Sequence, residues 1–564
     1  MGLGLVSMSE QEAHKLLDSY LALFLPLEEE MSQKWYAYAV SGDKELSQQT
    51  TEAEFQLRKL HSDKKYFSEF RQFYEGRTNI RERKLRREIE LAYLRYLPNQ
   101  VDPTKLEKLT ILEGRLRELA NDYRPTVEGK RLGPDEVSRI LVENTDSLYL
   151  EKVWKEQTRV GEVLEEDYRQ VVSLRNEIAR DLGFSNFIEL SAVATELDLK
   201  QINRFYDDLE KKTTQPFQKL KTKFLDPKLA KRYNIKTNEL FPWHYQNQYF
   251  QDVPSAVFEK LHLDDVYKGK DSHVVVAKTS DFFASMGIDV ASIIKRSSLF
   301  PKEGKNPHAF ATMLKREPGS SVLLMNLPHP PKSPSARDVA VLFHELAHDI
   351  HYEAVLQNKK LPVSLKELPL LTEANSILFE SQTRTPEWLM SFGVSRKEAN
   401  EIIQQVKLRQ YVEELVFLRF ACVMHAFEAR FYADPSQDIG YLWWECKERY
   451  QFLKRPQGWK NPDALAKYHI PNVPPLYYPY YAIGHIANAE FAELFSRRID
   501  QDPQTASYYH QKELGTWLMT DFLAQGQLYR WDEYLEKTTG HSLSLDAWER
   551  CYLQSHVEEQ LFPL

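Results

Sequence analysis

Val341 to Tyr352 reads VLFHELAHDIHY and carries the pattern HExxH at His344, Glu345 and His348. Two histidines four apart lie on one face of a helix, one turn apart, so both imidazoles can reach one zinc ion. Glu345 stands beside the first histidine, where its carboxylate can take a proton from water at the metal. The short pattern alone also fits a solvated helix face carrying His and Glu. Its context favours the metal. An apolar run, Val339 to Phe343, precedes it and implies a buried helix, in which charge needs a partner. Ser333 is the expected N-cap and Pro334 the expected first helical residue.

A zinc site of this kind takes a third protein ligand and leaves a fourth position open. Downstream comes LPLLTEANSILFESQTRTPEWL, in which Pro369 opens a helical pattern with Leu370, Leu371, Ile377 and Leu378 on it. Glu373, 29 positions after His344, lies among these apolar residues and is the expected third ligand. Glu380 is two turns further along the same face. It is read as support for a ligand from behind, with an ordinary surface carboxylate as the alternative.

HELAHDIH with a glutamate 29 positions on resembles the zinc peptidases of the thimet oligopeptidase and oligoendopeptidase F family, and TEANSILFES resembles their AE-x-x-S-x-x-x-E segment. The same region resembles angiotensin-converting enzyme, through LPVSL after the motif and TPEWL after Glu373. The resemblance is concentrated in residues 308–484. It implies a mainly α-helical fold of two halves around a deep substrate channel, with a small β-hairpin beside the HExxH helix. Both families are helical zinc peptidases, so the implied cofactor is one Zn²⁺ per chain and the implied partners are short peptides.

The 564 residues suffice for a large core. Aromatic residues at 12% and charged residues at 28% mark a folded chain. The net charge of −8 speaks against nucleic acid as the main partner. Cys422, Cys446 and Cys551 show neither metal spacing nor a disulfide framework and read as free thiols of a reducing compartment. The opening MGLGLVSMSEQEAHK lacks a basic region followed by an apolar core, and Val6 stands where a myristoylation signal prefers Ser or Thr. No apolar run is long enough to span a membrane. A cytoplasmic protein with no membrane partner is expected.

Residues 9–97 read as amphipathic helices. RERKLRR, Arg81 to Arg87, is read as a solvated face with glutamate partners rather than a polyanion site. Residues 104–225 continue as helices broken at Pro125 and Pro134, one of them ended by Gly183. No repeat or linker marks a boundary, so residues 1–564 are taken as one catalytic unit with approximate halves 1–225 and 226–564. Trp243, Tyr245 and Gln246 in LFPWHYQNQYF fit either a cleft or core packing. His425, in the apolar EELVFLRFACVMHAFEARFY, reads as a core histidine.

HAFATML and SSVLLMNL, separated by REPGS, read as a hairpin leading into the zinc helix. An edge strand there can hold an extended peptide by backbone hydrogen bonds whatever its side chains. HAFA resembles the HASA segment of angiotensin-converting enzyme, which implies His308, Ala309 and Ala311 as substrate-binding positions. A plain structural hairpin is the alternative.

Ala466 to Gly484, AKYHIPNVPPLYYPYYAIG, reads as a rigid aromatic loop followed by a helix from about Ala482. Peptide hydrolysis needs donors aimed at the tetrahedral oxyanion, and a Tyr hydroxyl or a protonated His can supply them. AKYHIP resembles the AKFHIP of angiotensin-converting enzyme and YPYY its YIRY. The resemblance implies Lys467 and Tyr478 as binders of a substrate C-terminal carboxylate, and His469 and Tyr481 as oxyanion donors. Two extra residues lie between His469 and Tyr478, and Tyr480 stands where that enzyme has a chloride-binding arginine. The loop before the HExxH helix is about six residues longer than in that enzyme.

The expected function is therefore a zinc metallopeptidase releasing C-terminal dipeptides from short peptides. The alternatives are an oligoendopeptidase cutting internal bonds and a non-catalytic helical protein that keeps a peptide cleft.

Overall fold

Helices carry the fold, and two short antiparallel pairs are the only sheets among the described residues. The structure is a computed structural model that describes residues 9–258 and 262–562. The absence of a leader is read from residues 1–15, of which 1–8 lie outside that range. The chain separates into two compact units, each assembled from three stretches. The first unit comprises Met1–Gln100, His262–Gln404 and Ile483–Cys551; the second comprises Val101–Leu261, Gln405–Ala482 and Tyr552–Leu564. Among the described residues no helix is long and apolar enough to cross a membrane.

In the first unit, helices Glu10–Ser41, Lys44–His61, Lys64–Glu75 and Arg83–Tyr96 join their apolar faces in one cluster that includes Tyr20, Phe24, Phe70, Ile89 and Tyr96. The Arg81–Arg87 run is only partly a solvated face. Arg83 pairs with Glu533, as an exposed residue does, whereas Arg87 is buried and donates to the Gln527 carbonyl.

The HExxH segment lies on helix Ala336–Gln357, which starts two residues later than expected. Ser335 is the cap. Its hydroxyl accepts the Asp338 N–H while Asp338 reaches back to the Ser335 N–H, the reciprocal arrangement of a capping box. Ser333 has Ala336 three residues on, which cannot close that box. Its hydroxyl accepts the Gly269 N–H instead. Val339, Leu342, Phe343, Leu346 and Ile350 are all buried, so the helix runs through the core of its unit. Helix Pro369–Ser381 packs against it and opens at Pro369 as expected.

The hairpin consists of strands Phe310–Met313 and Ser321–Leu324, with Ala311 opposite Leu323. Glu353, near the C-terminal end of the HExxH helix, docks it. Its carboxylate accepts from the Ser321 hydroxyl at 2.8 Å and the Gly319 N–H at 2.9 Å, and pairs with Arg296 at 2.7 Å. The Tyr36 hydroxyl donates to the Leu323 carbonyl, and the Trp35 ring lies 4.3 Å from that of Phe310. The long N-terminal helix thus holds the hairpin as well.

The second unit is built on helices that include Pro103–Asp122, Pro134–Glu143, Val160–Asp181 and Leu199–Leu220. Gly183, at φ +89°, follows the end of one of them. Trp154 packs with Trp243, Trp444 and Trp459. Trp243, Tyr245 and Gln246 belong to this core rather than to a cleft. The Tyr245 hydroxyl donates to Asp226 and receives Lys221, and the Gln246 amide donates to the Val142 carbonyl. His425 is a core histidine, stacked 4.0 Å from Tyr206 and bonded to Asn203. Cys422, Cys446 and Cys551 are free.

Candidate metal centre and substrate-binding residues

One turn of helix separates His344 from His348, and their Nε2 atoms stand 3.3 Å apart. Helix Pro369–Ser381 brings the Glu373 carboxylate to 3.4 Å from His344 Nε2 and 3.7 Å from His348 Nε2. A tetrahedral zinc holds such ligands at about 2.0–2.1 Å, which places them about 3.3 Å from one another. The donor set and its spacing therefore fit zinc, and two imidazoles with one carboxylate suit it chemically. Gly484 faces this carboxylate's stem: a Cβ there would lie 3.4 Å from the Glu373 Cβ, within ordinary contact.

Glu380 reaches His344 from behind, with 3.5 Å to its Nδ1, and is itself paired with Arg384 at 2.9 Å. Burial disfavours charge on His344, but its hydrogen bonds to Glu373 and Glu380 outweigh this and raise its pKa to about 10. Burial lowers that of His348 to about 4. Two histidines on one helix face are thus differentiated by what stands behind them: a carboxylate for His344, the Thr372 hydroxyl for His348.

Glu345 is buried next to this cluster. Burial and the Glu373 charge push its carboxyl up to about 7, against the His344 charge and a hydrogen bond from the Ala311 N–H. A carboxylate with that proton affinity can take and return protons near neutral pH. The hairpin strand Phe310–Met313 packs against the helix that carries Glu345. Ala311 lies in strand Phe310–Met313 and Ala309 immediately precedes it. His308 is exposed, its N–H held by Asn306 at 2.9 Å.

Lys467, His469, Tyr478 and Tyr481 gather in the second unit. The Lys467 ammonium is buried beside the rings of Tyr249, Phe420 and Tyr478 and donates to the Gln251 amide oxygen at 2.5 Å. Burial lowers its pKa to about 8. The His469 ring lies 5.4 Å from that of Tyr478 and 6.2 Å from that of Tyr481. Burial, and then the Lys467 charge, lower the His469 pKa to about 4, so it is a neutral imidazole with one N–H to give rather than a protonated donor. The aromatic stretch is less of a loop than expected. His469–Asn472 forms one turn, and helix Tyr478–Arg498 starts at Tyr478 rather than near Ala482. Pro479 falls in its first turn, where a missing N–H costs nothing. Tyr478 and Tyr481, three apart, therefore share a helix face.

Sequence reasoning missed Gln251, Thr372, Arg384 and Glu353. Thr372 and Arg384 lie within LPLLTEANSILFESQTRTPEWL, and Gln251 and Glu353 just after LFPWHYQNQYF and VLFHELAHDIHY; each is assigned only by what the fold sets beside it.

The family model for peptidase M2, described as angiotensin-converting enzyme, matches residues 7–245 and 332–549. Angiotensin-converting enzyme of Mus musculus is 27% identical over 218 residues and that of Bos taurus 26% over 219 residues. Each match takes in 37% of this chain and 16% of the length of the relative.

Proposed function

Because this chain belongs to the angiotensin-converting enzyme family, we propose that it is a zinc metallopeptidase that releases C-terminal dipeptides from short, extended peptides. The observation that carries the reading is the spacing of His344, His348 and Glu373, which meets a tetrahedral ion, with Glu345 beside it. When bound, zinc supplies Lewis acidity toward the scissile carbonyl and toward water. Glu345 takes the proton of the attacking water and returns it to the leaving amine. Ala309 and Ala311 bind the peptide backbone through the hairpin edge, with His308 beside them. The His469 N–H and the Tyr481 hydroxyl donate to the oxyanion. Lys467 and Tyr478 hold the terminal carboxylate, the feature that selects release from the C-terminus over internal cleavage.

A mixed peptide pool, each member present as free acid and as C-terminal amide, tests this by mass spectrometry with and without chelator. The expected result is chelator-sensitive loss of dipeptides from the free acids alone. Internal cuts in both forms would make the protein an oligoendopeptidase and leave Lys467 without its role. Absence of chelator-sensitive cleavage would leave a non-catalytic peptide-binding protein.

A further inference from the structure

Behind His348 stands a second histidine that the proposed reaction does not use. The Thr372 hydroxyl lies 3.0 Å from His348 Nδ1 and 3.2 Å from His351 Nδ1. All three side chains are buried, in the same unit. A hydroxyl has one hydrogen to give and can accept on its lone pairs. An imidazole that offers its Nε2 lone pair to a metal carries its proton on Nδ1, so His348 Nδ1–H must donate to Thr372. The hydroxyl hydrogen is then free for the lone pair of His351 Nδ1. Run in the opposite direction, the same two bonds would place the His348 proton on Nε2, where it would block ligation.

We propose that Thr372 is a positioning residue for zinc, and that His351 sets the direction of its hydrogen bond so that the His348 lone pair faces the ion. This rests on the zinc reading above. Burial keeps His351 uncharged and thus able to accept. His351 also lines a cavity of about 10 Å³ with Asn375, whose side-chain amide has no hydrogen-bond partner among the described residues. That is room for about one water. The relay differs in kind from the support of His344, where a carboxylate stands behind the ring. A hydroxyl fixes the tautomer and orientation of His348 without adding negative charge.

The test is zinc affinity of the full chain, measured by competition with a chromophoric chelator. Thr372→Val, which keeps the shape and removes the hydroxyl, is expected to weaken zinc binding by about 10–100-fold, and Thr372→Ser to restore it to within about threefold of the parent. His351→Phe removes the acceptor while filling its space and is expected to lose affinity in the same direction, which covers the case of a Thr372→Val chain that does not fold. NMR of ¹⁵N-histidine-labelled protein, assigned with that variant, should show His351 as the neutral Nε2–H tautomer. A parent chain that takes up no zinc would overturn the metal reading and this inference together. A parent that binds zinc, with Thr372→Val or His351→Phe binding equally well, would overturn the relay alone. So would a His351 carrying its proton on Nδ1, because both rings would then donate to the hydroxyl.

Discussion

In the proposed reaction Glu345 uses the metal without holding it. It is not within ligand distance of the His344–His348–Glu373 set, yet burial beside that set raises its proton affinity. Glu345→Gln should therefore keep stoichiometric zinc and lose about 10²–10⁴-fold in kcat. Glu373→Gln should lose the zinc itself, and metal analysis alongside turnover distinguishes the two. The clustering of His344, His348 and Glu373 was legible because HExxH sets two histidines one helical turn apart, and because an isolated glutamate among leucines demands a partner. Thr372 and Gln251 were not. A threonine before a glutamate and a glutamine in an aromatic stretch acquire meaning only from the His348 and Lys467 atoms that folding brings within 3 Å.

His61 shows the same dependence on surroundings, here for stability. It sits in the N-terminal cluster with its Nε2 3.0 Å from the Tyr20 hydroxyl, and burial lowers its pKa to about 4. The unfolded chain takes up a proton below about pH 6.5 that the folded one refuses until about pH 4. The stability that neutral His61 contributes is complete above pH 6.5 and is lost as pH falls from 6.5 to 4. The loss amounts to at most about 3 kcal/mol. His61→Gln should flatten the pH dependence of the denaturation midpoint over that interval, measured with chelator present so that the metal site does not contribute.

At the scale of elements, existence was readable and boundaries only in part: Pro369 opens its helix as expected. The hairpin was announced by two β-favouring segments around a turn, and the zinc helix by its apolar run. The start of that helix was misplaced because Ser333 and Ser335 are both good caps in isolation. The choice falls to Asp338, which completes a reciprocal pair only with Ser335. The Tyr478 helix was read too short for a related reason. Prolines that look like loop punctuation are compatible with a first helical turn when no N–H is needed there. What couples hairpin to helix was invisible, since Glu353 reads as one more charged residue at a helix end. Buried, it holds Arg296, Gly319 and Ser321 at once. Glu353→Ala removes the acceptor of three donors and the ion-pair partner of a part-exposed Arg296, so a loss of about 1–3 kcal/mol is expected. If the hairpin edge binds the peptide backbone, KM should rise while zinc affinity holds, because the variant leaves the three ligands in place. Calorimetry, peptide kinetics and metal titration read the three effects separately.

For the whole molecule, local sequence carried the helical class but not the partition of the chain. Each compact unit takes three separated stretches, so no linker composition marks the division. The same non-locality bears on the proposed mode of cleavage, whose proposed determinant, Lys467, lies more than a hundred residues from HExxH. If Lys467 anchors a terminal carboxylate, its own titration must appear in the kinetics of free-acid peptides. Burial holds its pKa at about 8, so the ammonium is present below that pH and lost above it. For free acids, kcat/KM, which reports the free enzyme, should then fall as pH rises through 8, and should change little for the matching C-terminal amides. A charge-assisted bond of about 1.5–3 kcal/mol corresponds to about 10–150-fold in kcat/KM. Lys467→Met should lower the free-acid value by that factor at pH 7 and remove the alkaline fall, leaving amides as they were. Parallel pH profiles for acids and amides, or a Lys467→Met chain that treats both as the parent does, would transfer the choice of bond from the carboxylate to the hairpin edge. An edge that recognises backbone alone has no means of counting from the C-terminus.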